Sequence, residues 1–498
     1  MQMKITFAKL CYAFTSLILS VAVSSAHSEK RQIHPRILST AEIQSNLQGK
    51  CAIDIPSGFD WPANSEDLYR ISGGIHTATL NVPGVIDVAA QRKHGWNLFA
   101  GITQPSGQSP SSPPVFETWY TVEEAFDAAD GKVQCSTRKP SFRISLPTQL
   151  LMTLNSSLRG VLSSKGITPS PRFDINPSNI SPFNAPQDDS GDNTEPVAFS
   201  HVAFNQEMYD YIRDNKYYSK KTLDQNIDQN VALKKLVDPP IRGISLKFAW
   251  WPVDPSKLTP LPVWDSDPRF PGDAPNPPTT WKRIVLVDPI GGLTPPATVQ
   301  FSGFEYENPK TVPIDRFYAI RLSTLDAAVA NADFRIQKAA QAVLGRNLQG
   351  GDFLLLTAMH IATREFDPWV WLTYWWTDKP GIGELASDMP SNVKGVWRNY
   401  VMDVSFNINN PKGATGKAPI AFNPWLELFQ KGGTRSQCMA CHARAAYGPG
   451  VVASFNPTDM STSDKNGFDA TPTDINDPNF KNGTLSLHRI WTIMTRSQ

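Results

Sequence analysis

Two neighbouring segments of the chain, residues 352–363 and 368–376, carry apolar side chains at most positions. The second segment is rich in tryptophan, and its apolar side chains would fall on both faces of a β-strand, because strand side chains alternate between faces. A strand that is apolar on both faces has to be covered on both sides. The short link Arg364–Asp367 predicts a hairpin between the two segments. The sequence therefore predicts a central hairpin inside a layered structure.

The remaining segments alternate between strand-like and helix-like patterns. We predict strands over 244–250 and 281–287, short strands mixed with loops around 95–101 and 115–120, and helices over 205–215 and 323–344. Charged residues make up only 19% of the chain and 42 residues are proline, which disfavours a helical bundle. The predicted fold class is mixed α+β. Its N-terminal and central regions are β-rich, forming a sheet or a sandwich, and a short, mainly helical or loop segment follows at the C-terminus.

The first residues have the pattern of a secretory signal peptide. Lys4 and Lys9 precede an apolar run over 10–23, and small residues follow up to Ala26. We expect cleavage near Ala26 and export to the periplasm or beyond, with no membrane span in the mature chain; an uncleaved anchor is the alternative. The balance of 47 basic against 46 acidic residues gives no field that would attract nucleic acid.

A chain of 498 residues exceeds the usual size of one domain, so we predict several units. They are a signal peptide at 1–26, a strand- and loop-rich module at 27–167, a linker or long loop at 168–197, a central β-rich domain with helices at 198–422, and a segment at 423–498. The linker prediction depends on its high content of Pro, Ser, Asn and Asp.

The most specific motif is Cys438-Met-Ala-Cys441-His442. Two thiols at this spacing can each form a thioether with one vinyl group of a porphyrin, and the adjacent imidazole can bind the iron as the proximal ligand. We therefore predict one covalently bound haem c in segment 423–498. A disulfide redox pair and half of a zinc site, for which His488 would be a further ligand, are the alternatives.

The sequence leaves the sixth iron ligand open. His360, in the first apolar strand, and Met460, eighteen residues after the motif, are the candidates, and an open sixth position is a third option. His360 can equally be a hydrogen-bonded core residue. The other two cysteines of the exported chain, Cys51 and Cys135, form an even pair for which we predict a structural disulfide, with two buried thiols as the alternative.

The motif resembles that of a c-type cytochrome. Over residues 93–498 the chain also resembles a group of large exported bacterial proteins known only as cytochrome c family proteins. The blocks that carry this resemblance are 94–101, 116–120, Met359-His360 with 369–376, 395–400 and 421–425. The resemblance implies an exported protein with a single haem and no defined reaction. A sheet that packs against the haem would explain the aromatic hairpin, and ordinary core packing is the other interpretation.

Three classes of function are compatible with these residues. The first is electron transfer through the haem, to or from a redox partner protein or a small-molecule donor or acceptor. The second is a haem-dependent oxidoreductase, peroxidase-like or an oxidase of a small molecule, with an open or labile sixth position. The third is a binding or sensor protein of the cell envelope in which the haem has a structural role and holds parts of the chain together. No catalytic residue is predicted, and electron transfer is the function we favour.

Overall fold

The computed structural model describes much of the chain between residues 52 and 497. The described residues are 52–76, 79–109, 112–126, 131–133, 199–231, 233–265, 278, 281–331, 334–367, 369–381, 385–406, 421, 423–427, 438, 442, 445–451 and 481–497. All of them belong to one unit of the chain, Pro35–Gln498. They combine several antiparallel sheets with a few helices, which confirms the mixed α+β class.

The elements of regular structure are as follows. The α-helices are α1 (Ser65–Ile71), α2 (Val88–Ile102), α3 (Val122–Phe126), α4 (Gln206–Asp214), α5 (Lys220–Asn226), α6 (Thr324–Ala330), α7 (Phe334–Leu344) and α8 (Trp491–Arg496). The strands are β1 (Ile75–His76), β2 (Asn81–Val82), β3 (Tyr120–Thr121), β4 (Phe199–Phe204), β5 (Lys234–Lys235), β6 (Ile244–Val253), β7 (Thr259–Pro262), β8 (Ile284–Asp288), β9 (Thr298–Phe301), β10 (Phe304–Glu307), β11 (Lys310–Pro313), β12 (Ala319–Arg321), β13 (Phe353–Thr363), β14 (Val370–Trp376), β15 (Tyr400–Ser405), β16 (Ala446–Tyr447) and β17 (Leu485–Ser486). Short 3₁₀-helices span Val115–Thr118, Ile314–Arg316 and Gly395–Asn399.

The largest sheet has seven strands. Their order is β15-β14-β13-β6-β4-β3, and β12 pairs beside the first residues of β13. All of its pairs are antiparallel. The aromatic hairpin β13–β14 lies in the middle of this sheet, and every residue of β14 is buried. The prediction of a central hairpin covered on both sides is therefore confirmed.

A β-bulge divides β13 into two halves. Leu356 lies opposite Trp250 of β6, and Ala358 lies opposite the adjacent residue Ala249. Thr357 is thus an extra residue in the ladder, and its hydroxyl donates a hydrogen bond to the carbonyl oxygen of Ala249 at 3.1 Å. Because side chains alternate between faces along a strand, an extra residue changes which face the following residues occupy.

One face of the large sheet packs against α2. The hydroxyl of Tyr374 donates a hydrogen bond to the carbonyl oxygen of Gly95 at 2.7 Å, and the ring of Phe99 stacks on the ring of Tyr374 with centroids 4.2 Å apart. The approach is close, since a Cβ atom on Gly95 would lie 2.9 Å from Cδ2 of Leu372. We call this surface, which includes Leu372 and Tyr374, the α2 face.

The opposite face carries a row of polar side chains, one from each of four adjacent strands. Lys247, His360, Thr373 and Asp403 lie opposite one another on β6, β13, β14 and β15. The side-chain amide of Asn423 donates a hydrogen bond to the hydroxyl of Thr373 at 2.7 Å, so residues from the C-terminal part of the chain lie on this surface. We call it the C-terminal face.

Three of the smaller predictions are confirmed. α4 begins after Asn205, whose side chain accepts a hydrogen bond from the amide of Met208, as expected for an N-cap. The predicted strands over 244–250 and 281–287 correspond to β6 and β8.

Two predictions are wrong. Residues 95–101 belong to α2 rather than to short strands and loops. α2 is buried around most of its circumference, so its sequence lacks the polar face that would reveal a helical period. The helix predicted over 323–344 is divided into α6 and α7. Near the break, the side chain of Asn331 donates to the carbonyl oxygen of Leu348 at 2.7 Å and accepts from its amide at 3.0 Å, a tertiary contact that local sequence does not predict.

Several predicted features lie outside the described residues. These are the signal peptide at 1–26, the linker at 168–197 and the cysteines at 51 and 135. Strand β3, which precedes the predicted linker, pairs with β4, which follows it, in the large sheet. Among the described helices, none has the length and apolar character needed to cross a membrane.

Candidate functional site

The site is built on the C-terminal face around His360 of β13. The neighbours of His360 on the same strand face are Ala358 and Ala362, and both are small. On the next strand, Trp371 lies opposite Ala362, so its large ring projects from the same face beside His360. Trp375 lies opposite Ala358 in the same way, so the face offers one imidazole between two small residues, with an aromatic ring of β14 on either side.

Glu427 and Cys438 meet His360 from the C-terminal part of the chain. Oε1 of Glu427 lies 3.0 Å from Nε2 of His360, and Sγ of Cys438 lies 4.0 Å from Nδ1 of the same ring. Glu427 and Cys438 are each only 7% exposed. The imidazole thus has a carboxylate next to one nitrogen and the first cysteine of the motif next to the other.

Asn423 holds the segment that carries Glu427. Asn423 is fully buried, and its side-chain amide donates to the hydroxyl of Thr373 at 2.7 Å and to the carbonyl oxygen of Tyr374 at 3.0 Å. Its backbone amide donates to Oε2 of Glu427 at 2.5 Å. Since charge-assisted hydrogen bonds are strong, this contact fixes the carboxylate relative to β14.

His442 lies one helical turn after Cys438, and both residues have helical backbone conformation. Nδ1 of His442 lies 2.7 Å from the carbonyl oxygen of Arg489. A carbonyl oxygen can only accept, so Nδ1 carries the proton and Nε2 keeps a lone pair for a metal. The ring also contacts Trp371, with centroids 4.3 Å apart and an interplanar angle of 39°.

The His442 imidazole is neutral at physiological pH. Burial lowers its pKa to about 3, and the positive charge of Lys247 acts in the same direction. A metal ligand has to be unprotonated, so this shift favours coordination.

The segment that supplies the carbonyl of Arg489 has an unusual backbone. His488 and Arg489 have φ angles of +47° and +70°, in the left-handed region that residues other than glycine seldom adopt. β17, just before them, pairs with β5, and Nε2 of His488 donates to the carbonyl oxygen of Leu236 at 2.6 Å. These contacts over-determine the backbone, as is often found where strain serves a site.

The described residues fit an attached haem. Cys438 and His442 have the spacing and helical conformation that attachment needs, and Nδ1 of His442 makes the hydrogen bond that orients metal-bound histidines in general. The donor atoms of His360, Glu427 and Cys438 also lie within 4.8 Å of one another. A nitrogen, an oxygen and a sulfur donor at this spacing can hold a metal ion such as Zn²⁺ directly.

The structure brings His360 and Cys438 together, and it places His442, one turn after Cys438, against Trp371 of the same sheet face. Cys441, Met460 and the pair Cys51 and Cys135 lie outside the described residues. His488, the extra zinc ligand considered above, bonds to Leu236 instead. Sequence reasoning missed Glu427 and Arg489. The position of Glu427 shortly before the motif was an available signal, whereas Arg489 acts through its backbone and leaves none.

No protein-family model, no curated protein and no solved structure matches this chain. The interpretation of the site therefore depends on its own residues and contacts.

Proposed function

We propose that the chain is an exported c-type cytochrome that transfers electrons through one covalently bound haem. The hydrogen bond from Nδ1 of His442 to the carbonyl of Arg489 is the observation that carries this proposal. It selects the tautomer whose Nε2 can bind iron, in a residue one turn after Cys438.

Each residue of the motif has one role in the proposal. Cys438 and Cys441 hold the porphyrin through thioether bonds, and Nε2 of His442 is the proximal ligand. The bound iron supplies one-electron exchange between its ferrous and ferric states. Trp371 packs against the ring of His442 and would help to keep water from it, and the buried strand that carries Trp371 would limit rearrangement during electron transfer.

A haem-dependent oxidoreductase is the second candidate, and the pair His360–Glu427 is the observation that favours it. A carboxylate 3.0 Å from an imidazole nitrogen can tune that imidazole as a general acid or base. Such a group beside an open iron position would suit a peroxidase-like reaction. The two candidates differ in the coordination of the iron, which spectroscopy can determine.

The first experiment asks whether haem is attached. The full chain is produced in a host with working cytochrome-maturation machinery, and the periplasmic and cytosolic fractions are compared by mass spectrometry and absorption of the pyridine complex. We expect a periplasmic protein that lacks residues 1–26 and carries the mass of one haem. Cys438→Ser together with Cys441→Ser should lose the haem, whereas the control Cys51→Ser should retain it.

Two results would contradict the proposal. A colourless protein with the mass of the polypeptide alone would exclude covalent haem. If the purified protein instead holds one zinc ion per chain, and the His360→Ala variant loses that ion, the site binds a metal ion directly and not a haem. If haem is attached, a high-spin iron that binds carbon monoxide or reacts with peroxide would favour the oxidoreductase. For electron transfer, we expect a low-spin, six-coordinate iron that does not bind carbon monoxide.

A further inference from the structure

We propose that His360 is the sixth ligand of the iron and that Glu427 is its positioning residue. This inference rests on the proposed haem attachment and specifies the side of the iron that the motif itself does not provide. It assigns bis-histidine coordination, one imidazole from the large sheet and one from the C-terminal segment.

The location of His360 is the first argument. Its imidazole projects from the C-terminal face, with Nδ1 4.0 Å from Sγ of Cys438, one of the two atoms that would hold the porphyrin. Trp371, whose ring contacts His442, projects from the same face on the neighbouring strand. The sheet therefore brings His360 to the space that the attached group would occupy.

The space around His360 is the second argument. Ala358 and Ala362 flank it on its own strand, and Ala249 of β6 lies opposite Ala358. Trp371 and Trp375 of β14 lie opposite these two residues of β13, so the imidazole projects between small side chains and beside two flat aromatic rings, an apolar lining that suits a porphyrin. At the α2 face, Leu372 and Tyr374 are in direct contact with α2, so that side of the sheet is occupied by the helix.

The chemistry of the pair is the third argument. Nε2 of His360 lies 3.0 Å from Glu427, yet it is buried without an aligned hydrogen bond. Histidines that bind metals commonly have a carboxylate as the partner of one ring nitrogen, which fixes the tautomer and makes the ligand more basic. Glu427 is itself held by Asn423, so it can position the imidazole.

Other histidines and methionines of the described chain make contacts away from the motif. His201 stacks on Phe248 and Trp250, and His94 lies 3.1 Å from Glu365. Met402 packs toward Gly95 at the α2 face. Within the described part of the chain, His360 is the candidate that faces the motif, and Met460, outside it, is the competitor that the experiment has to exclude.

The test uses the haem-loaded full chain and its absorption and electron paramagnetic resonance spectra. His360→Ala should convert the low-spin iron to a high-spin iron that binds carbon monoxide, and added imidazole should restore the low-spin spectrum. His201→Gln is the matched control: His201 is bonded to Trp250 on β6 and is no part of the site, so its replacement should leave the spectrum unchanged. Glu427→Gln should remain low-spin with a higher reduction potential, because the imidazole loses its charged partner and becomes less basic.

The outcomes separate this inference from the proposed function. If the protein carries a low-spin haem that His360→Ala does not change, His360 is not the ligand although the haem proposal stands; Met460→Ala should then alter the spectrum. If no haem is attached, the proposed function itself is wrong. His360→Met checks folding, since a methionine ligand should keep the iron low-spin and raise its potential.

Discussion

Nδ1 of His442 and the carbonyl oxygen of Arg489 lie 2.7 Å apart, and they join the helical turn of the motif to the last segment of the chain. The backbone of Arg489 is left-handed, with φ of +70°. The contact therefore uses a main-chain group whose direction depends on an unfavourable conformation. It ties the orientation of the His442 imidazole to the fold and not to another side chain.

The first prediction concerns Arg489 itself. Arg489→Gly should leave the haem spectrum unchanged, because the carbonyl remains and glycine adopts a positive φ more readily. Burial lowers the pKa of Arg489 to about 10, which shows that the protein interior disfavours its charge. Absorption spectra and thermal unfolding would check this. His442→Gln is the contrasting variant, for which loss of the native spectrum is expected; a similar loss in Arg489→Gly would show that the guanidinium is required.

The second prediction concerns the buried carboxylate of Glu365. It accepts hydrogen bonds from the amide of Ala63 at 2.7 Å and from the hydroxyl of Thr363 at 2.5 Å, and it is fully buried. Glu365→Ala leaves these donors without a partner, so the free energy of unfolding should fall by about 3 kcal/mol. Urea unfolding measures the change. The exposed control Glu66→Ala should change it by less than about 0.5 kcal/mol, and equal effects would contradict the argument.

The third prediction concerns the contact between α2 and the sheet. Gly95→Val should lower the free energy of unfolding by about 1–3 kcal/mol, because its Cβ would lie 2.9 Å from Cδ2 of Leu372 and the core must shift. Ala89→Val, at an exposed position of the same helix, provides the comparison for helix propensity. If urea unfolding shows the same loss of stability in both variants, the close approach of Gly95 to Leu372 is not the reason why position 95 disfavours valine.

The fourth prediction is a dependence of stability on pH. Burial lowers the pKa of His201 to about 3, and its Nδ1 accepts a hydrogen bond from Nε1 of Trp250 at 3.0 Å. Between the unfolded pKa near 6.5 and the folded value, the unfolded chain binds the proton and the folded chain does not. Stability should therefore fall as the pH drops through this window, with His201 contributing about 1.4 kcal/mol per pH unit.

His201→Gln tests this contribution, since glutamine can still accept from Trp250. Urea unfolding at pH 7 and at pH 5 should show a smaller loss of stability in the variant than in the parent chain. His442 and His488, whose pKa values burial also lowers, add to the slope in both proteins. A variant with the same dependence on pH as the parent would show that His201 does not titrate in the folded state as proposed.

The parts of the fold that the sequence predicts are those in which local pattern and burial agree. The hairpin of β13 and β14 is apolar on both faces and covered on both, and Asn205 caps α4 as its position indicates. The break between α6 and α7 could not be predicted, because it involves a contact between Asn331 and Leu348. α2 was missed because its burial hides the helical period.

The candidate site divides in the same way. Cys438 and His442 belong to one short motif, and the spacing of that motif is itself typical of haem attachment, so both residues can be named from the sequence. His360 was only one of two sixth-ligand candidates, because its proximity to Cys438 depends on chain segments 78 residues apart. The carbonyl of Arg489 carries no signal in residue type, so only the structure connects it with His442.

The extra residue in β13 determines which neighbours His360 has. Ahead of Thr357, the even-numbered Leu356 lies opposite Trp250, whereas after it the even-numbered Ala358 lies opposite Ala249, on the other face. In an uninterrupted strand with the same pairing at its start, His360 would point with Leu356 into the apolar layer beside α2. One irregularity of the backbone thus places His360 on the face where Glu427 and Cys438 lie.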